Sequence, residues 1–207
     1  MRPRGRRHRR GAAAAVAVAR AVVSAAVNAG ASRRVAFAAA LVVGGGACKG
    51  EPLEGSCDAP DGAVFQDNES WKHENDPGAH VYEANPPSSG PHYPVWASWG
   101  VHDDVVERGQ WVHNLEHGGV VFLVGDDASA TAKDELRAAF DALPDDPECG
   151  HPRALLTRDP LLDDPVAVVA ADVVLVPGAL DGGVLARDRT LAFATACRNR
   201  APENVCP

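Results

Sequence analysis

The chain has 207 residues and a formal net charge of −8. Nine of its 20 Lys and Arg residues lie in the first 47 positions, which contain no Asp or Glu. Without that segment, eleven basic residues face 28 acidic ones, and the net charge becomes −17. Such an acidic surface repels phosphate backbones, which excludes general nucleic-acid binding. The remaining roughly 160 residues are enough for one domain with a hydrophobic core.

Residues 1–47 have the composition of a signal or targeting segment. A basic pair, Arg33-Arg34, precedes an apolar run from Val35 to Val43 that is too short to span a bilayer. The Ser-Arg-Arg sequence resembles a twin-arginine export signal, and Gly45-Gly46-Ala47-Cys48 resembles a bacterial lipoprotein cleavage box. We therefore expect export to the cell envelope, in the periplasm or on the outer surface. We expect a lipid on Cys48 to anchor the protein to the membrane.

Five cysteines are present, and an odd number in an exported protein suggests that one has a separate fate. Lipidation of Cys48 leaves four, which allow three pairings. We predict disulfides Cys197–Cys206, across a short loop, and Cys57–Cys149, across a long one. Free buried thiols are the alternative. No Cys-x-x-Cys spacing occurs, so neither a zinc-thiolate knuckle nor a thioredoxin-type motif is predicted.

The first half of the exported part contains few regular elements. Residues 48–77 are polar and rich in helix breakers, which predicts a tether and an entry segment. One globular domain is predicted over residues 78–207. Val81-Tyr82 is a candidate short strand. Residues 85–94 contain four prolines and a glycine, so they exclude a helix and predict a rigid extended loop.

The second half alternates between strand and helix patterns. Apolar runs predict strands at Val120–Val124, Arg153–Thr157 and Val166–Val176. Helical periodicity predicts helices from Ser129 or Ala130 to Leu143 and from Arg187 to Arg200. The order strand–helix–strand–strand–helix predicts an α+β fold, in which both helices pack on a mixed or mainly antiparallel sheet.

Two motifs stand out: Asn-Pro-Pro-Ser-Ser-Gly-Pro-His at residues 85–92 and His-Asn-Leu-Glu-His-Gly-Gly-Val-Val at residues 113–121. Together they resemble a bacterial family known only as a domain of unknown function, whose members often follow a signal peptide or membrane anchor. The resemblance covers roughly residues 80–200 and includes Leu155-Leu156-Thr157. The chain departs from it at Ala170-Ala171-Asp172, where a tryptophan-containing turn is expected. The resemblance implies importance for the motifs but no reaction.

Four histidines are candidate metal ligands: His80, His92, His113 and His117. On a helical turn, the spacing of four between His113 and His117 places both imidazoles on one face, where they could share a metal ion. His92 in the proline-rich loop and His80 beside Val81-Tyr82 are the further candidates. Three or four neutral imidazoles suit copper(II) or zinc. The sequence therefore predicts a histidine cluster that binds a transition metal.

Two other functions remain open from the same residues. His-x-x-Glu-His matches the inverted zinc-peptidase pattern, in which Glu116 would be the general base of a metal-assisted hydrolase. Gly118-Gly119 and a strand follow at once, however, and on a strand Glu116 would face away from the histidines. The other alternative is a structural envelope module without metal, whose histidines bond backbone groups. We expect His73 and His102 to be surface or local hydrogen-bonding residues, and His151 to be a loop residue.

Overall fold

The computed structural model describes residues 57–76 and 80–207. Within these residues, three helices and one mixed six-stranded sheet form an α+β fold, which confirms the predicted class. The strands are β1 (Ala63–Phe65), β2 (Gly100–Val101), β3 (Val120–Val124), β4 (Ala154–Arg158), β5 (Val166–Ala170) and β6 (Val173–Leu175). The helices are α1 (Arg108–Glu116), α2 (Ala130–Asp141) and α3 (Arg187–Cys197).

Several sequence predictions lie outside the described residues: the leader over 1–47, the lipidation site Cys48 and the first part of the tether and entry segment, residues 48–56. None of the helices within the described residues is long and apolar enough to cross a membrane. The predicted division of the chain at residue 77 stays a prediction. The entry segment before it nevertheless contributes β1 to the sheet.

The strand order across the sheet is β1-β6-β5-β3-β4-β2. Parallel pairs join β3 to β4 and β4 to β2, whereas the other three pairs are antiparallel. β3 therefore lies at the change from antiparallel to parallel pairing. All five of its residues are buried, which explains why its sequence is uninterrupted Val, Phe and Leu.

The two faces of the sheet bury separate sets of side chains, as the two-residue repeat of a strand requires. Phe122 and Val168 face α2 and α3, together with Leu136 and Phe193 of those helices. Val121 and Val169 face the opposite side, where Trp111, Val112 and Leu115 of α1 cover them. The third helix, which the strand and helix patterns did not include, thus supplies the second layer over the sheet.

The predicted strand from Val166 to Val176 is wrong in one respect, because it is a hairpin of β5 and β6. Val168 pairs with Leu175 and Ala170 with Val173. The chain reverses at Ala171-Asp172, where Asp172 adopts φ 57°. Asp tolerates this left-handed conformation better than most residues. The predicted strand at Val81-Tyr82 is also wrong, since neither residue pairs with another strand.

The predicted disulfide pairing is wrong, although all four cysteines other than Cys48 are cross-linked. Cys57 is bonded to Cys197, and Cys149 to Cys206. The buried Cys197 belongs to the core beside α2 and α3, where Cys57 packs against it. Helix α3 ends there because Arg198 is extended and Asn199 adopts φ 64°. The chain then continues to Cys206, which is bonded to Cys149 in the loop between α2 and β4.

Candidate metal centre

The histidine-rich motif forms the last turn of α1 and the residues that follow it. α1 ends at Glu116, and His117 is its C-cap. One helical turn separates His113 from His117, so their rings lie on one side, with 2.8 Å between the two Nε2 atoms. Gly118 then adopts φ +76°, a left-handed conformation that ends helices and favours glycine. The motif is therefore a helix end, which places both imidazoles on one face.

Gly119 and Asn114 fix this helix end against its surroundings. A Cβ on Gly119 would lie 2.6 Å from the ring of Trp99 and 2.7 Å from the carbonyl oxygen of Asn114, so only glycine fits. The Asn114 carboxamide accepts a hydrogen bond from the Ala97 N–H at 2.9 Å and donates one to the Ala97 carbonyl at 2.8 Å. Both residues join α1 to the loop after the prolines.

The proline-rich loop brings His92 to the same place. Residues 85–94 form neither helix nor strand apart from an isolated parallel bridge between His92 and His73. In that bridge, Glu74 N–H donates to the His92 carbonyl at 2.8 Å, and His92 N–H donates to the Lys72 carbonyl at 3.1 Å. The bridge places the two histidine rings 4.9 Å apart between centroids.

Three histidines converge on the Glu116 carboxylate. Its Oε2 atom lies 3.0 Å from His73 Nε2, 3.1 Å from His92 Nε2 and 3.7 Å from His113 Nε2. One ligand atom from each of these four residues lies within 4.8 Å of every other. Two ligands at about 2.0–2.1 Å from one zinc ion lie roughly 2.8–3.4 Å apart for angles between 90° and the tetrahedral angle. Two of the three distances to Glu116 Oε2 fall in that range.

Backbone carbonyls orient three of the rings. His92 Nδ1 faces the Gly90 carbonyl at 2.8 Å, and His113 Nδ1 faces the Tyr93 carbonyl at 2.6 Å. His117 Nδ1 faces the Glu203 carbonyl at 3.3 Å. Because a carbonyl only accepts hydrogen bonds, each Nδ1 carries the hydrogen. In the neutral rings, each Nε2 therefore presents a lone pair to its neighbours.

Burial distinguishes the members of this cluster. His92, His113, Glu116 and His117 are all buried, whereas the His73 side chain is 47% exposed. Burial lowers the pKa of His113 to about 4, so that ring is neutral at pH 7. Burial by itself would raise the pKa of Glu116, but hydrogen bonds and charge interactions with His92 and His73 outweigh it and lower that pKa. The carboxylate is therefore ionised, and the cluster opens to solvent on its His73 side.

The structure brings together three of the four histidines predicted from the sequence and adds one. His92 and His113 belong to the group around Glu116, and His117 contacts His113. His80 lies elsewhere, with its Nε2 atom 3.3 Å from Glu69 Oε2. His73, which we expected to be a surface residue, belongs to the group. No local signal marks His73, because its position depends on a bridge to a residue 19 places later.

Two more groups of possible ligands occur within the described residues. Glu116 and His117 lie with Glu203 such that one ligand atom from each is within 4.8 Å of the others. Cys149, His151 and Cys206 form the other group, in which the two cysteines are already joined as a disulfide. The first of these connects the cluster to the segment after α3.

Comparison with known proteins gives one match. No curated protein and no solved structure matches the chain. A family model described as "Protein of unknown function (DUF3105)" matches residues 73–203, a range that includes every residue of the histidine cluster. Since this range spans more than half of the sequence, the chain belongs to the DUF3105 family.

Proposed function

We propose that this protein is an exported, lipid-anchored component of the bacterial cell envelope that binds a transition metal. The proposed ligands are His92, His113 and Glu116, with His73 on the exposed side and His117 adjacent. The observation that carries the proposal is the convergence of imidazole lone pairs on one buried carboxylate. Export and anchoring rest on the leader and on Cys48.

The hydrogen-bond inventory of the cluster supports a cation there. His92 Nε2 faces a carboxylate oxygen at 3.1 Å, and His113 Nε2 faces His117 Nε2 at 2.8 Å. With each Nδ1 hydrogen committed to a carbonyl, both contacts join two acceptors, which repel each other unless a proton or a metal ion lies between them. Charging several buried imidazoles together is unfavourable because of desolvation and mutual repulsion. One metal ion between His92, His113 and Glu116 would satisfy the lone pairs that these three residues direct at one another.

The ligand types favour copper(II) or zinc. Imidazole and carboxylate donors suit both ions, and copper(II) binds such sites more tightly in the general affinity order of divalent metals. Thiolate donors would favour copper(I), but the four described cysteines are in disulfides. Ligating histidines commonly donate their other N–H to a backbone carbonyl, as His92 and His113 do here.

A metal-assisted hydrolase is the second candidate. The 47% exposure of His73 favours it, because a substrate could reach a metal ion from that side. The position of Glu116 favours simple binding. Its carboxylate oxygen lies 3.0 Å and 3.1 Å from two imidazole nitrogens, which is the spacing of two ligands on one metal ion. A general base needs a free oxygen directed at a water molecule. A structural envelope module without metal is the third candidate.

Metal titration of the full-length chain tests the proposal. The protein is purified without nickel resin, its metal content is measured, and copper(II) and zinc are titrated against a competing chelator. His92→Ala and His113→Ala should each weaken binding by at least about tenfold, the lower limit reported even for residues that only orient ligands. His102→Ala is the matched control, because among the described residues the Ser98 carbonyl is the one hydrogen-bond partner of the His102 ring. His80→Ala should also leave affinity unchanged.

Glu116→Gln separates the two metal-dependent candidates. A ligand role predicts weaker metal binding, because a neutral amide replaces the carboxylate. A general-base role predicts full metal content with loss of turnover. The metal proposal is refuted if wild-type protein binds copper(II) and zinc no more tightly than the His92→Ala variant does. In that case the structural module without metal is the remaining candidate.

A further inference from the structure

The segment from Asn199 to Cys206 lies against the end of α1 that carries the histidine cluster. Asn199 N–H donates to the Gly118 carbonyl at 2.9 Å, and Glu203 N–H donates to the Glu116 carbonyl at 3.1 Å. These bonds satisfy carbonyls at the end of the helix that have no partner within it. We call residues 199–206 the clasp segment.

The clasp segment also orients one imidazole of the cluster. The Glu203 carbonyl accepts the His117 Nδ1 hydrogen, which turns His117 Nε2 toward His113. The same residue brings its carboxylate within 4.8 Å of ligand atoms of Glu116 and His117. His117 is the C-cap of α1, and within the described residues the Glu203 carbonyl is the hydrogen-bond partner of its Nδ1 atom, while the Trp96 ring packs against it. A displacement of the clasp segment would therefore change the position of the His117 ring beside the proposed metal centre.

Few apolar contacts hold the last part of the clasp segment. Beyond Ala201 the chain forms neither helix nor strand, and Glu203 and Val205 are exposed. The buried Arg153 holds it by donating to Asn204 Oδ1 at 2.7 Å, and it also donates to the His117 carbonyl at 3.2 Å. The covalent link is the disulfide from Cys206 to Cys149.

We propose that the Cys149–Cys206 disulfide regulates the metal affinity of the centre by keeping the clasp segment on His117. This inference rests on the metal-binding function proposed above. A dithiol reductant supplies two electrons and two protons, breaks the Sγ–Sγ bond to give two thiols, and is itself oxidised to a disulfide. The freed clasp segment releases His117 Nδ1, and metal affinity falls. His117 acts here through its orientation, and the disulfide is a positioning element.

The two disulfides differ in a way that makes this control selective. Cys149 and Cys206 are both partly exposed, so a reductant can reach them. Cys57 is partly exposed as well, but its partner Cys197 is fully buried in the core beside α2 and α3, so this disulfide has one accessible sulfur atom where Cys149–Cys206 has two. Thiol–disulfide exchange requires access to a sulfur atom. Mild reduction should therefore open Cys149–Cys206 before Cys57–Cys197.

Zinc affinity of the full-length chain tests the inference, because zinc is not itself reduced. The double variant Cys149→Ser/Cys206→Ser opens the link without leaving thiolates that could bind zinc with His151. We expect zinc binding about 10–100-fold weaker than in wild type, the range for disturbing a residue that contacts a ligand, because the displaced His117 would no longer hold its place beside His113. Cys57→Ser/Cys197→Ser removes the other disulfide and should retain the wild-type affinity. Circular dichroism verifies that each variant is folded.

The same comparison in a His117→Ala variant distinguishes a loss of His117 orientation from a general destabilisation of the centre. In His117→Ala protein, opening Cys149–Cys206 should change zinc affinity less than twofold, because the ring that the clasp segment orients is absent. Equal weakening in both backgrounds would overturn the inference, as would wild-type affinity in the serine pair. If the serine pair does not fold, wild-type protein whose Cys149–Cys206 disulfide has been reduced and whose two thiols have been alkylated must bind zinc more weakly, or the inference fails. A wild-type chain that binds no zinc refutes the proposed function itself.

Discussion

Asn114 offers a quantitative test of how the histidine cluster is supported. Its carboxamide makes two hydrogen bonds to the backbone of Ala97, and both residues are buried. Ala97 follows Trp96, whose ring centroid lies 5.5 Å from that of His113 and 5.7 Å from that of His117. Asn114 thus keeps the loop that carries Trp96 over the two histidines.

The effect of Asn114→Ala follows from the groups that it leaves without partners. The N–H and the carbonyl of Ala97 would both lose their bonds while remaining buried, at about 1–3 kcal/mol each. The expected loss in free energy of unfolding is therefore about 2–6 kcal/mol. A domain of this size changes its melting temperature by roughly 2–4 °C per kcal/mol. A loss near the middle of the range, ~4 kcal/mol, would lower the melting temperature by about 8–16 °C.

Urea unfolding and thermal melts of the full-length variants measure this change. Gln110→Ala, also on α1, is the matched control, since no side-chain hydrogen bond of Gln110 is seen among residues 57–76 and 80–207. It should change the free energy of unfolding by less than about 1 kcal/mol. A loss below about 1 kcal/mol for Asn114→Ala would refute the reasoning, because it would mean that water or a rearranged loop satisfies Ala97.

Two further changes test separate parts of the molecule. Gly118→Ala should reduce the free energy of unfolding by about 2–4 kcal/mol, because left-handed strain of roughly 1–2 kcal/mol adds to a Cβ contact of 2.9 Å with Asn199 Cα. Gly182→Ala has the strain without any neighbour within 4 Å, so urea unfolding should show the smaller loss, and equal losses would exclude the clash. Cys48→Ala should move the protein from the membrane fraction to the soluble exported fraction, as fractionation and immunoblotting would show. Unchanged membrane association would contradict lipid anchoring.

Helices and strands with a clear periodic pattern of apolar residues were predictable from the sequence. Elements whose structure depends on contacts with distant parts of the chain were not. α2 shows apolar residues on one face and a Ser129 cap, and its helix was predicted to within two residues at each end. α1 has no such pattern, because all its residues from Trp111 to Glu116 are buried on every side. The β5–β6 hairpin contains no Gly or Pro at its turn, so it resembled one long strand.

The site was partly predictable for a similar reason. The spacing of His113 and His117 marks a helical turn, and the proline-rich loop marks a rigid approach for His92. Nothing near His73 indicates a ligand, since a tertiary bridge places it in the cluster. The cysteines likewise showed that cross-links were expected but not which ones. Pairing depends on where α3 ends in space, and the loop lengths used for the prediction do not contain that information.

The bridge between His73 and His92 gives metal binding a mechanical consequence. The proposed ligands come from the entry segment, the proline-rich loop and α1, three parts of the chain separated by about 20 residues each. A bound ion would tie these parts into loops that the unfolded chain does not close. Its stabilisation grows with free metal and reaches about 2.7 kcal/mol at a hundred times the dissociation constant. The metal supply would then determine how long the folded protein survives proteolysis, so that its abundance follows the availability of its own ligand.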